Sequence, residues 1–513
     1  MSEIYSLIGQ SLPAFIDALF SLEMLLALAV GILGGLIIGA LPGLNPAAGI
    51  ALLMPITYNM SPIPALTMLM AIYTAGIMGG SYTAILLHTP GTTSAVATIT
   101  DGYALTEKGE PLRALTTSTY ASTIGGTISA IALLFVSPLL AELSLTFDSA
   151  EYFLLGIFGI SLIASLASDS LLKGCIAGLF GLCLSCVGQF PLESTYRYTF
   201  GIKHLRTGLN ATIVLLGLFS ISQVYTLIGE RLKMTAEERA AEKNKQLIAL
   251  KGKDLTLKEK IHLLPTIIYT SIVGLFVGIL PGAGASIGAF VGYNEAKRIS
   301  KHKEEFGKGS IEGVAGPEAA NNAVTGGSMI PLMTLGIPGS PVAAILLGAL
   351  MIHGLQPGYK LFTEEADITY PIIFGFLLAN VAMYFVGKVF VRLLRRVVDI
   401  PPAILNTCIV VLVAVGGYSI SNSINDLYIA AIFGLVGYFC RIGKFNTSAL
   451  TLGLVLGTIA EKGLRRSITM ARGDIIGYYF ARPACIILIV LIVASLVGPA
   501  FKKLLIRVKM KRG

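Results

Sequence analysis

Apolar residues lie along this chain in long uninterrupted runs rather than in the alternating patterns of a soluble fold. The runs fall near residues 20–41, 64–99, 114–143, 148–168, 171–190, 208–229, 264–292, 317–353, 369–398, 401–420, 427–440, 446–460 and 475–498. A helix needs roughly 20 apolar residues to cross the hydrocarbon of a bilayer, so most runs predict one membrane helix each. The runs at 64–99, 264–292 and 317–353 are broken by Pro-Gly pairs. The pattern predicts an all-α polytopic membrane protein of about 11–13 transmembrane or re-entrant segments.

One peptide occurs twice. Gly35 to Gly49 reads GLIIGALPGLNPAAG and Gly274 to Gly288 reads GLFVGILPGAGASIG, a spacing of 239 residues with seven of fifteen positions identical. A Leu-Pro-Gly break at membrane depth frees backbone groups that only protein or a wet cavity can satisfy. Two such breaks in corresponding places point to a transporter's substrate site. The repeat continues: Gly79-Gly80-Ser81 with Pro90-Gly91-Thr92 answers to Gly326-Gly327-Ser328 with Pro338-Gly339-Ser340. Asp169 with Gly178 and Gly181 is echoed by Asp426 with Gly434 and Gly437. The chain therefore divides into membrane repeats at 1–229 and 263–498, a linker at 230–262 and a basic tail at 499–513.

The linker holds nine Lys/Arg against six Asp/Glu, which predicts a cytoplasmic loop. Flanking charges differ in sign between corresponding segments of the two halves, so the repeats read as inverted, the arrangement from which many carriers build two alternating states. One count stays open: Arg441, Lys444, Arg465, Arg466 and the tail all look cytoplasmic, yet the helices between them would separate them.

Composition narrows the class. The chain is 54% hydrophobic and 13% charged, which excludes a soluble globular domain. Its net charge of +9 resides in short loops and the tail, where the positive-inside bias and anionic headgroups account for it without nucleic acid. The first basic residue is Lys108, so no cleaved signal peptide is expected. The six cysteines, Cys183 and Cys186 included, read as packing residues. His88 and His353 occupy unmatched repeat positions and read as incidental. No P-loop and no His/Cys/carboxylate group at metal spacing is expected, hence neither an ATPase nor an enzyme.

Three constellations carry the candidate chemistry. The Leu-Pro-Gly breaks place Pro42, Gly43, Pro281, Gly282, Ala283 and Gly284 at helix interruptions. Gly31 and Gly35 read as packing glycines, since small residues four apart let membrane helices approach closely. Glu318, Asn321 and Asn322 are costly to insert unless they face a cavity or partner, and their oxygens suit a hard cation. A helix opening at the interface is the competing reading of Glu318. Pro90, Gly91, Thr92, Thr93 and Ser94, with Pro338, Gly339 and Ser340, form hydroxyl-bearing helix starts suited to an anion. Two such starts converging would hold a substrate with two or more carboxylates.

The runs GALPGLNPAAGIALLMPIT, AIYTAGIMGGSYTAILLHTPGTTSAVATITDGYALTEKGEPLRAL, GILPGAGASIGAFVGYNEAKRISK, FGKGSIEGVAGPEAANNA and PLMTLGIPGSPVAAILLGAL resemble the large membrane subunit of tripartite tricarboxylate transporters. The resemblance covers nearly the whole chain. It implies a secondary carrier of the bacterial inner membrane, driven by a cation gradient (Na+ or H+), with no tightly bound cofactor or metal. It also implies a small membrane subunit and a periplasmic binding protein that captures carboxylates such as citrate. The family's motifs fall on Leu41–Gly43, Leu280–Gly282, Pro317–Asn322, Pro90–Thr92 and Ile337–Ser340. The chain departs from the family where Ile77-Met78-Gly79 replaces the usual Tyr-Gly.

The expectation is thus a binding-protein-dependent, cation-coupled symporter for a di- or tricarboxylate, with Asn45, Asn321 and Asn322 helping to form the cation or substrate shell. An elevator-like motion is favoured because both broken segments read as re-entrant, and a second copy of the chain is allowed as a partner. The rivals are a passive carboxylate channel or uniporter and an intramembrane enzyme. Only the enzyme lacks residues to support it.

Overall fold

The computed structural model describes residues 2–41, 44–166, 171–190, 195–233, 252–280, 284–398 and 402–495. Among them the only strands are the antiparallel two-residue pair Gly188–Gln189 and Tyr196–Arg197. The first half runs α1 (Ser2–Gln10), α2 (Leu12–Leu19), α3 (Leu22–Ala40), α4 (Pro46–Thr57), α5 (Pro62–Leu87), α6 (Val96–Glu107), α7 (Pro111–Ser144), α8 (Ser149–Leu166), α9 (Leu171–Ser185) and α10 (Ala211–Lys233). The second runs α11 (Leu257–Ile279), α12 (Gly284–Ile299), α13 (Ile311–Leu335), α14 (Pro341–Ile352), α15 (Tyr359–Thr363), α16 (Ala366–Val398), α17 (Pro402–Ser421), α18 (Ile424–Ile442), α19 (Thr447–Met470), α20 (Ile475–Phe480) and α21 (Pro483–Ser495). Seven described helices are long and apolar enough to cross a membrane: α3, α5, α7, α10, α11, α18 and most of α16. This is an all-α, multi-pass membrane protein.

Three expected boundaries move. The run at 317–353 starts earlier, in a helix from Ile311 that passes Pro317 and Pro331, and is broken where expected, between Gly336, in the left-handed region at φ +71, and Ser340. The run at 475–498 is split, because Pro483 starts a new helix after Phe480. The run at 446–460 extends to Met470. At about 1.5 Å rise per residue, that length sets Lys444 and Arg465–Arg466 at opposite ends of α19.

Glycine decides how the halves pack. Each half opens with a two-helix hairpin laid on a long buried helix, α3 on α5 and α11 on α13. A Cβ at Gly35 would stand 2.9 Å from the Ile72 carbonyl oxygen, and one at Gly39 would overlap that of Gly76. At Gly274 and Gly278 it would crowd the carbonyl oxygens of Ala320 and Val324. Backbone meets backbone, as small residues permit in membranes, and the packing reading of Gly31 and Gly35 holds.

Each hairpin is tied across its open end. The Glu23 carboxylate of α3 accepts the Ser61 N–H at 2.9 Å and the Ser61 hydroxyl at 3.0 Å, just before α5. In the second half, Tyr269 of α11 donates to Glu295 of α12 at 2.7 Å. The hairpin tips Pro42, Gly43, Pro281, Gly282 and Ala283 lie outside the described residues, as do residues 234–251 of the linker and the tail.

Polar ties also fix which helix ends share a side. Thr106, near the end of α6, donates to the Ile85 carbonyl near the end of α5 at 2.8 Å. Asp101 of α6 accepts the N–H groups of Gly307, Gly309 and Ser310 at 2.8–2.9 Å, directly before α13. The end of α5 and the start of α13 therefore lie on one side. Arg113, at the start of α7, pairs with Glu259 of α11, and Lys388 of α16 with Asp254 at 3.5 Å, on that same linker side.

The glycine contacts predict a contrast. Gly39→Ala should cost about 2 kcal/mol through overpacking. Gly34→Ala, whose Cβ would meet only Leu53 at 3.8 Å, should be neutral. Melting temperatures of the purified variants in detergent test this, and equal values would refute the packing argument.

Candidate functional site

A cleft of about 620 Å³ lies beside the first Pro-Gly break. One wall is Asn45, at the start of α4, with Pro90, Gly91, Thr92 and Thr93, which precede α6. The facing wall comes from α10, the end of α18 and the start of α19, with Phe219, Gln223, Arg441, Lys444 and Asn446. A π-helical turn at Leu216–Ile221 places Leu218 and Phe219 on that wall.

Local bonds shape the break. The Gly91 N–H donates to the Gly80 carbonyl at 3.1 Å, and a Cβ on Gly91 would overlap the carbonyl oxygen of Gly39. The Asn45 side chain caps α4 by accepting the Ala48 N–H at 2.8 Å. Thr93 Oγ1 lies 2.7 Å from Ser286 Oγ of α12, so the first break touches the second hairpin. The helices starting at Pro46 and Thr447 and the short turn at Thr93–Ala95 all begin at the cleft, with their positive dipole ends there. Asn45 and Pro90–Thr93 thus come together, while Ser94 is buried behind them with Oγ 3.0 Å from Thr92 Oγ1.

The second break does not join this cleft. Pro338, Gly339 and Ser340 are buried. Ser340 Oγ accepts the Ala343 N–H at 3.1 Å, and the Tyr73 hydroxyl lies 3.0 Å from Ser340 Oγ and 3.2 Å from Ser328 Oγ. The second anion-type loop therefore does not line the cleft at the first, and Tyr73 lies against it. The contacts also correct the repeat register by one residue. Gly91 packs on Gly80 and Gly339 on Ser328, a spacing of 248, which pairs Tyr73 with Asn321 and Thr74 with Asn322.

Glu318 sits two turns inside α13 and is wholly buried, which overturns the reading of it as a helix opening at the interface. Its carboxylate accepts hydroxyls from Ser81 at 2.6 Å, Ser118 at 2.9 Å, Ser122 at 3.0 Å, and Thr98. Two hydroxyls thus reach each carboxylate oxygen. Asn322 Oδ1 accepts from Thr74 Oγ1 at 3.0 Å, and Thr74 Oγ1 also lies 2.6 Å from Asn380 Oδ1. Both amide atoms of Asn321 and the Asn322 Nδ2 are buried without a partner, a costly condition that marks a place for a ligand or water. Gly284 begins α12 at φ +63.

Sequence reasoning missed the hydroxyls around Glu318. Their signal was Ser118 and Ser122, four apart and so on one helix face. It also read Arg441 and Lys444 only as topology markers. His88 ends α5 with its ring 4.6 Å from that of Tyr103, and His353 ends α14. The expectation of no His/carboxylate group at metal spacing is corrected: ligand atoms of His302, Glu304 and Glu305 lie within 4.8 Å of one another, all on exposed side chains.

Repeated helix breaks, a polar cleft at one of them and a hydroxyl-lined carboxylate in the core make this the architecture of a membrane transporter component. Residues 25–452 match the Tripartite tricarboxylate transporter TctA family, and the chain belongs to it. It is thus one part of a tripartite system that includes other subunits. The 52.8 kDa protein in the TAR-I ttuC' 3' region of Agrobacterium vitis is 36% identical over 445 residues, 87% of each chain. A protein in the TAR-II ttuC' 3' region of the same organism is 39% identical over 202 residues, 39% of this chain and 83% of its own. No solved structure matches the chain.

The hydroxyl cage predicts an ordered pair of variants. Glu318→Ala, which strips four buried hydroxyls of their acceptor, should destabilise by about 3 kcal/mol or more. Glu318→Gln, which keeps one oxygen and adds donors that rotating hydroxyls can accept, should cost less. Detergent-solubilised thermal unfolding ranks them, and the reverse order would refute the assignment.

Proposed function

We propose that this chain is the cation-coupled carrier of its tripartite system, importing a di- or tricarboxylate such as citrate across the bacterial inner membrane. A periplasmic binding protein delivers the substrate and a small membrane subunit completes the carrier. The observation that carries this is the cleft at the first break, where three helix starts and the threonines at 92 and 93 face one volume. Such a surface favours carboxylates over neutral solutes.

Three features support coupled alternating access over a channel. One break loop opens on a cleft while its counterpart is sealed by Tyr73, as two states of one repeated element would require. The end of α5 and the start of α13 lie on one side, which favours inverted repeats. The unpartnered amide of Asn321, one residue from Asn322, suits a coupling-cation shell of oxygen ligands, Na+ or H+ being the ion. We read both hairpins as re-entrant, a reading that favours an elevator-like motion.

Proteoliposomes holding this chain and its small subunit, supplied with labelled citrate, test the reading. Uptake should exceed equilibrium only with an inward cation gradient and the binding protein present. Equilibration independent of both would establish a channel. In the same assay, Asn321→Ala should raise the cation concentration for half-maximal uptake; an unchanged value would remove it from the shell.

A further inference from the structure

We propose that Arg441, Lys444 and Gln223 form a second carboxylate anchor, so that the substrate bridges the break loop and the α10–α18 wall and must carry at least two carboxylates. This rests on the carboxylate-carrier reading above and goes beyond it by naming the residues that set charge number.

The chemistry of the wall is one-sided. No Asp or Glu lines the cleft, whereas Arg441 and Lys444 stand exposed on its rim. Gln223 is 6% exposed and lines the same space. Its Oε1 is occupied by Arg441 Nη1 at 2.8 Å, while its Nε2 is buried without a partner. A buried amide donor left open beside two cations is what a carboxylate would satisfy.

Two further contacts hold this wall in place. Lys173 of α9 donates to the Gly443 carbonyl at 2.6 Å and lies 5.3 Å from the centre of the Phe445 ring, pinning the turn that presents both cations. Lys444 itself adopts φ +55, a left-handed conformation that asparagine adopts more readily than lysine. Its presence there is explained by charge, not by backbone fit.

The opposite wall holds the other carboxylate, through Thr92, Thr93 and the helix starts. The two anchors come from different elements: the break loop packs against Gly80 of α5, while Leu218 of α10, Phe433 of α18 and Leu450 of α19 share a second apolar cluster. A substrate with one carboxylate reaches only one anchor.

Equilibrium binding to the purified chain in detergent tests this, with citrate, succinate and acetate as probes at two salt concentrations. Wild type should bind citrate and succinate and leave acetate far weaker. Lys444→Asn and Arg441→Gln should each weaken citrate binding about tenfold, as expected for losing one charge-assisted contact. Their combination should bind citrate as weakly as wild type binds acetate and lose the salt dependence of wild type, and Arg441→Lys should restore part of the loss. Because asparagine suits the backbone at 444, Lys444→Asn should melt no lower than wild type, so its effect is not one of folding. Unchanged affinity and salt dependence in the double variant would overturn the anchor while leaving the carrier reading intact. Failure of wild type to bind either citrate or succinate would instead overturn the carrier reading and the anchor with it.

Discussion

The architecture depends on carbonyl oxygens meeting glycine. Gly39 and Gly278, one turn before the hairpin tips, each present a carbonyl oxygen to the glycine of a Pro-Gly break, Gly91 and Gly339 respectively. Neither junction has room for a Cβ. In a bilayer every freed backbone group must find its partner within the protein. These contacts let two irregular segments sit deep in an apolar bundle, and they draw each break toward the end of its own hairpin helix.

The same junction, made twice, is finished differently. At the second, Tyr73 reaches Ser340 and Ser328 and closes the space. The position paired with Tyr73 across the repeat is Asn321, a smaller side chain whose amide finds no partner, and the first junction opens on a cleft. A repeated backbone with one large and one small side chain at matching positions gives two unequal environments.

Charge is distributed with the same economy. The buried carboxylate of Glu318 is met by hydroxyls from α5, α6 and α7, which satisfy it without a counter-charge and clasp the second half to the first. Asp101 does similar work at the bundle's edge, gathering three backbone N–H groups ahead of α13. No described lysine or arginine is buried, and Arg441 and Lys444 stand exposed at the mouth of the cleft. A buried unpaired ammonium or guanidinium would cost several kcal/mol, whereas rim cations keep their hydration and still act across a low-dielectric cleft.

Membrane class, helix count and the two hairpins were legible in the sequence, because the length of an apolar run and the presence of Leu-Pro-Gly act locally on the backbone. So was the grouping of Asn45 with Pro90–Thr93, both being consequences of the repeated break. Pro317 and Pro331 lie inside α13 without ending it, as membrane helices allow where neighbours re-satisfy the backbone they free. The hydroxyl partners of Glu318 come from 196 to 237 residues away in the chain, a separation no local pattern encodes. The sequence alone thus determined what the chain is made of: membrane helices, twice broken, with a polar residue set too costly to be idle. Only the tertiary structure decided which break is open, which is plugged by Tyr73, and which cations face it. Those outcomes depend on side chains meeting across helices that share no sequence neighbourhood.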